Sequence, residues 1–194
     1  MMRTTTPIVL AGILVAFSSA RAEQRRLVLD GQLDSAGDTR SASLRILCEP
    51  DPHGGAISVE LWVPQAYTRK DFDYDDFEGP DAVAGNRALS HVSVSGADGT
   101  TEITYPAAGW YSGEDDPNTF VFGVSQRSHQ KGKVATLLAA VDARDTRVLW
   151  VQKSFRGPTR ELRATFALDA EKAKQIRDTV DACLAPLAKP KPTR

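Results

Sequence analysis

Two short stretches of sequence decide the fold, SLRILC at residues 43–48 and ISVELWV at residues 57–63. In each stretch apolar and polar side chains alternate with a period of two, which places the apolar ones on one face of an extended strand. The residues between them, PDPHGG at 50–55, are almost all of types that form turns. Together the three segments predict a β-hairpin with one apolar face.

Other segments predict that this hairpin belongs to a larger sheet. A second hairpin is expected from residues 147–154 and 160–168, which are joined across Gly157 and Pro158. Residues 134–141, VATLLAAV, are rich in Ala and Leu and favour a short helix instead. The hairpins predict a mainly antiparallel sheet or sandwich, with further strands at residues 26–30, 91–94, 101–105 and 120–124.

The last part of the domain has the pattern of an amphipathic helix. Asp169 is of a type that caps helix N-termini, and Pro186 is expected to end the helix after residue 185. Between these limits apolar residues repeat at helical spacing, namely Ala173, Ile176, Val180, Cys183 and Leu184. The sequence thus predicts an α+β fold in which the C-terminal helix packs on the sheet.

Length and composition limit the chain to one folded domain. It has 194 residues and a mass of 21.0 kDa, which is too little for two well-filled cores. Hydrophobic residues make up 41% and charged residues 25%, with 24 Lys and Arg against 25 Asp and Glu. This balance excludes a disordered chain and a basic nucleic-acid-binding protein. The domain is expected at residues 23–187, followed by a disordered basic tail at residues 188–194.

Residues 1–22 have the features of a secretory signal peptide. Arg3 gives a positive start, residues 7–17 (PIVLAGILVAF) are uncharged and apolar, and the segment ends in an A-x-A pattern at Ala22. This apolar run would extend only about 16 Å as a helix, roughly half the thickness of a bilayer core. We therefore expect cleavage after Ala22 and a periplasmic or secreted product that does not span the membrane.

The chain has two cysteines, and both lie at apolar-face positions. Cys48 is on the first predicted hairpin and Cys183 on the last predicted helix. In an oxidising compartment such a pair is expected to form a disulfide that staples the helix to the sheet. A redox-active dithiol is the alternative, but the two cysteines lack C-x-x-C spacing.

Six acidic residues fall within eleven positions of segment 64–87, which has no clear period and is interpreted as a long surface loop. The alternate aspartates Asp71, Asp73 and Asp75 could direct carboxylate oxygens to one Ca²⁺. An EF-hand would have Gly where this chain has Asp76, so the motif is incomplete. A solvated acidic loop is the alternative, and no other cofactor is expected.

No catalytic motif is evident in the sequence, so an enzyme is not expected. The three histidines have no metal-ligand spacing, and the G-x-S-x-G, Walker and dinucleotide-binding patterns are absent. A hydrolase whose Ser, His and Asp meet only in the fold remains an alternative. Trp110 and Tyr111, next to the acids at 114–116, are similar to the lining of a sugar-binding cleft, although a turn also explains those acids.

The order of these features resembles the type VI secretion-associated periplasmic accessory proteins. The resemblance covers residues 48–183 and implies a non-catalytic envelope protein that contacts other proteins, such as a secretion-system component. Trp110 is followed here by Tyr111-Ser112-Gly113, where that family has a serine/aspartate signature. The features that carry the resemblance are a signal peptide, Cys48, Leu61-Trp62, Trp110, Phe120, Phe122, Leu137-Leu138, a late hairpin and a closing helix with Cys183.

The chain is also similar in general build to the small periplasmic lysozyme inhibitors, which are β-rich, secreted and disulfide-stapled. In that case the acidic loop 71–81 would enter the cleft of a basic lysozyme, and complementary charge would speed the encounter. The expected partner is thus an envelope protein or a lysozyme. The candidate residues for interaction are Asp76, Glu78, Asp81, Trp110 and Tyr111.

Overall fold

The structure is a computed structural model that describes residues 25–49, 55–113, 116–127, 132–141, 146–156 and 160–184. The expected signal peptide at 1–22, the tail at 188–194 and the turn at Gly157-Pro158 lie outside the described residues. Within the described ranges, no helix is long and apolar enough to cross a bilayer.

Nine strands in the described part of the chain form one sheet, in the order β5-β4-β8-β9-β1-β2-β3-β7-β6. All neighbouring strands are antiparallel. The strands are β1 (Arg25–Ser35), β2 (Asp38–Glu49), β3 (Ala56–Val63), β4 (Ser90–Gly96), β5 (Gly99–Tyr105), β6 (Ala108–Tyr111), β7 (Phe120–Arg127), β8 (Thr146–Lys153) and β9 (Glu161–Leu168).

The sheet curls until its two ends approach each other. The hydroxyl of Tyr105 on β5 donates a hydrogen bond of 3.2 Å to the carbonyl oxygen of Ser125 on β7. The α+β class is therefore confirmed, with a single curled sheet that is closer to a half-barrel than to a sandwich.

Both predicted hairpins are present. Strands β2 and β3 pair with Leu44 opposite Leu61, and strands β8 and β9 pair along their full length. Strand β1 is longer than the expected 26–30, because it continues into a tight turn at Ala36 and Gly37, both of which have positive φ. The short edge strand β6 was not predicted, since four residues are too few for a visible alternation.

Two helices cover the concave face of the sheet, α1 (Lys133–Ala139) and α2 (Ala170–Leu184). Both agree with the predicted segments 134–141 and 170–185. The carboxylate of Asp169 accepts a 2.8 Å hydrogen bond from the backbone N–H of Lys172, as expected of an N-cap. The apolar side of α2 faces the sheet and buries Ala173, Ile176, Val180 and Cys183.

Segment 64–87 is not the surface loop that its acidic composition predicted. Its aromatic side chains Phe72, Tyr74 and Phe77 are buried and lie against the rings of Phe120 and Phe122 on β7. The prediction failed because these three aromatics alternate with acids, so that the acids hid the apolar positions. We call residues 66–87 the end plug, since they close one end of the curled sheet.

Cys48 and Cys183 form the predicted disulfide, with a Cα–Cα distance of 5.5 Å. Both residues are buried in the core between β2 and α2. The bond therefore fixes the last helix to the centre of the sheet, across a sequence separation of 135 residues.

Removing this disulfide is expected to lower the free energy of unfolding by up to about 5 kcal/mol, because the unfolded chain regains the entropy of an open loop. Urea denaturation of the wild type and of the Cys48→Ala/Cys183→Ala variant measures the difference. Reductant should lower the unfolding midpoint of the wild type only. A wild-type midpoint that does not respond to reductant during unfolding would contradict the prediction.

Candidate functional site

An open cleft of about 590 Å³ lies between the end plug and the strand ends beside it. Three tyrosines and several basic side chains line it, among them Tyr67, Tyr74, Tyr111, Lys70, Arg156 and Arg160. Its size is within the range of small-ligand sites, although its open shape also suits a protruding segment of another protein. The alternate aspartates of the sequence pattern lie in or beside this cleft.

At the base of this region Asp71 lies between two arginines from different parts of the chain. The Arg40 Nη2 atom lies 3.2 Å from Asp71 Oδ2 and donates a 2.8 Å hydrogen bond to the Tyr74 hydroxyl. The Arg69 Nε atom lies 3.4 Å from Asp71 Oδ1, and Arg69 also pairs with Asp38. Burial raises the pKa of Tyr74, so this hydroxyl stays protonated. The charge of Asp71 is thus neutralised internally.

The next carboxylates of the plug turn to other partners. Asp73 accepts a 3.4 Å hydrogen bond from the hydroxyl of Ser154 and lies 3.9 Å from Arg160. Asp75 accepts a 2.9 Å hydrogen bond from the hydroxyl of Tyr111. Each carboxylate therefore joins the plug to a different strand end.

The calcium site expected at Asp71, Asp73 and Asp75 is not assembled in this structure. The three carboxylates diverge, and among the described residues no group of three or more His, Cys, Asp or Glu side chains is placed to hold a metal ion. The physical reason is that Arg40, 31 residues away in the sequence, and the near neighbour Arg69 both supply positive charge to Asp71. The spacing of the aspartates could not reveal Arg40 as a partner.

The other interaction candidates divide into buried and exposed groups. Asp76 is buried and its Oδ1 atom lies 2.7 Å from Arg156 Nη2, while Glu78 and Asp81 are exposed at the surface of the plug. Trp110 and Tyr111, expected to act together, point to opposite faces of β6. Tyr111 packs on Phe120 with 4.9 Å between ring centroids, and burial raises the pKa of its hydroxyl.

Exposed apolar side chains collect at the plugged end, which the sequence did not indicate. Tyr67 is 73% exposed and lines the cleft, Val83 is exposed on the plug, and Phe155 is exposed next to the cleft residue Arg156. The Arg87 guanidinium lies 5.7 Å from the centroid of the Phe155 ring, and the N–H of Ala84, next to Val83, donates a 2.9 Å hydrogen bond to the carbonyl oxygen of Asp76. We call this surface, together with the cleft, the plug-end face.

A second cluster lies on the convex face of the sheet, away from the cleft. Arg45, Glu60 and Gly123 are neighbours across strands β2, β3 and β7. The Trp62 Nε1 atom donates a 2.9 Å hydrogen bond to Glu60 Oε2, and the Arg45 guanidinium lies 3.2 Å from the centroid of the Trp62 ring. These residues and Trp110 are called the convex-face cluster below.

The indole of Trp110 lies against the backbone of Gly123. A Cβ atom at position 123 would be only 2.8 Å from the ring, so this packing requires glycine. Trp110 itself is 38% exposed, whereas Glu60 between the two tryptophans is only 7% exposed. Burial raises the pKa of the Glu60 carboxyl.

Comparison with known proteins matched no protein-family model, no curated protein and no solved structure. The functional conclusions therefore depend on the geometry of these two surfaces.

Removing the carboxylate of Asp71 is expected to destabilise the protein by about 3 kcal/mol, because Arg40 is then buried without its ion-pair partner. The double variant Arg40→Leu/Asp71→Ala should recover much of this loss. Chemical denaturation of Asp71→Ala, Arg40→Leu and the double variant measures both the loss of stability and its recovery. The matched control is Asp178→Ala, which breaks the exposed Lys174–Asp178 pair and should change stability by under about 0.5 kcal/mol. An equal loss in Asp71→Ala and the control would contradict the prediction.

Glu60→Gln is expected to stabilise the protein more at pH 7 than at pH 4, relative to the wild type. Because the folded-state pKa of Glu60 is raised, the folded state holds a proton that the unfolded state releases as the pH increases. Wild-type stability therefore falls through this interval, while Gln cannot ionise. Unfolding free energies of both proteins at both pH values test this. If the difference in unfolding free energy between Glu60→Gln and the wild type is the same at both pH values, the prediction is contradicted.

Proposed function

We propose that the protein is a non-catalytic binding protein of the periplasm or extracellular space, which contacts another envelope protein through its plug-end face. The observation that carries this proposal is a cleft that combines the exposed ring of Tyr67 with the accessible cations Arg156 and Arg160. Val83 on the plug and Phe155 next to Arg156 add exposed apolar surface. Aromatic and arginine side chains are the types that contribute most to binding at protein interfaces.

The compartment is supported by the buried Cys48–Cys183 bond, since disulfides persist mainly outside the reducing cytosol. The signal peptide predicted at residues 1–22 supports the same compartment. The resemblance to secretion-associated accessory proteins favours a component of an envelope assembly as the partner.

The plug-end face is held rigid by internal pairs, which favours binding. Asp71, Asp73 and Asp76 each join the plug to a basic or hydroxyl group elsewhere in the fold. An interface fixed in advance loses less conformational entropy when the partner binds. The exposed charges left at this face are mixed, with Lys70, Arg156 and Arg160 facing the cleft and Asp75, Glu78 and Asp81 on the plug.

This mixture of charges favours an envelope protein over a lysozyme as the partner. An acidic loop that enters a basic enzyme cleft needs free carboxylates on a protruding segment. Here the buried aromatics anchor the segment, and several of its carboxylates are already paired. Lysozyme inhibition is therefore the alternative function, and the experiment below includes it.

The proposal predicts that truncating the plug-end face weakens partner binding by about tenfold or more. The wild type is used to capture its partner from envelope extract, and the purified partner is then titrated against Tyr67→Ala and Val83→Ala. The matched control is Val28→Ala, another exposed valine, which lies on the convex face of β1. A second comparison sets Arg160→Glu at the cleft against Arg147→Glu at the far end of β8.

Three outcomes would contradict the proposed function. The first is a partner whose affinity is unchanged by the plug-end variants, and the second is an equal loss in the control variants. The third is that the protein inhibits the lysis of cell walls by purified lysozymes, and that Tyr67→Ala and Arg160→Glu abolish this inhibition. That result would establish the lysozyme alternative instead.

A further inference from the structure

We propose that the convex-face cluster of Arg45, Glu60, Trp62, Trp110 and Gly123 is a binding site for a neutral oligosaccharide. This site lies on the convex face of the sheet, whereas the cleft lies at the plugged end, so the proposal does not depend on the proposed protein contact. It combines an exposed indole with planar charged groups beside it.

The first requirement of a saccharide site is an aromatic surface open to solvent. The C–H groups on one face of a pyranose ring carry partial positive charge and pack on the electron-rich face of an indole. Trp110 keeps 38% of its surface exposed, and its ring is held in place by contact with Gly123. Because Trp110 lies on the edge strand β6, a ligand can also approach it from beyond the sheet.

The second requirement is a set of planar hydrogen-bonding groups that match neighbouring hydroxyls. Glu60 is only 7% exposed and accepts the hydrogen bond from Trp62, so its carboxylate fixes the orientation of that indole. Arg45 offers a guanidinium whose position is fixed by stacking on Trp62 at 3.2 Å. Groups held in place before binding lose little freedom when the ligand arrives.

The charge around the cluster favours a neutral ligand over an anionic one. The charged groups that act on the Glu60 carboxylate are Arg45 and Arg26, which attract it, and Glu49, which repels it. Arg45 and Glu60, the two charged members of the cluster, have opposite signs, so the cluster has no net positive charge to attract an acidic glycan or peptide.

The arrangement of the strands also determines the length of the site. Val121 on β7 has Trp62 on β3 opposite it on one side and Trp110 on β6 opposite it on the other. The two tryptophans are therefore two strand spacings apart, about 9.6 Å. Ser43 continues this row on β2, and Ser58 and Ser125 lie opposite each other further along β3 and β7 on the same convex face. An oligosaccharide laid across the strands would meet Trp110 on β6 first and Arg45 on β2 further along, which suits a chain of several sugar units.

The test is to titrate the full-length folded protein separately with chitotetraose, cellotetraose and maltotetraose. Binding is measured by tryptophan fluorescence and by NMR of the indole N–H signals. At least one tetramer should give saturable shifts of the Trp110 and Trp62 signals at millimolar concentrations. Trp110→Ala should weaken binding by about tenfold or more. Gly123→Ala keeps the indole but displaces it, and should also weaken binding.

The controls distinguish the loss of contacts to the saccharide from the loss of packing within the protein. Tyr67→Ala, at the plug-end face, should leave saccharide binding unchanged, and Trp110→Phe should recover part of the affinity with a folded protein. Three results would overturn the proposal: no saturable shift with any tetramer, equal binding by wild type and Trp110→Ala, or binding of tetragalacturonate in preference to the neutral tetramers. In the first two cases Trp110 serves only to cover Glu60.

Discussion

The curled sheet has one apolar face that must be kept from water, and the rest of the structure follows from this constraint. The strands place their alternate apolar side chains on the concave side, where the two helices and the end plug cover them. The Cys48–Cys183 bond holds the larger helix against this face. Since the inner face is filled, the surfaces left open to solvent are the plugged end and the convex face.

Charge at the plugged end is arranged to hold the structure together. Carboxylates of the plug form ion pairs with arginines on β2 and in the connection after β8. As a result, acids that are close in sequence have partners in different parts of the fold. The surface that results is rigid, mixed in charge and bordered by exposed apolar side chains. This surface differs from the free acidic loop that the composition of the segment predicted.

The convex face has a different chemistry. There a local group brings together Trp62, which bonds to the Glu60 carboxylate and stacks with the Arg45 guanidinium, and Trp110, which lies against Gly123. The two surfaces lie on different faces and use different residues, so each can be altered without changing the other.

The sequence by itself determined the elements whose signals are local. Period-two alternation predicted the hairpins, helical spacing and Asp169 predicted the last helix, and two cysteines at apolar positions predicted their bond. Tertiary structure alone decided what Asp71, Trp110 and Tyr111 do. Their roles depend on Arg40, Gly123 and Asp75, which are remote in sequence, and contacts between remote residues leave no periodic pattern in a single chain.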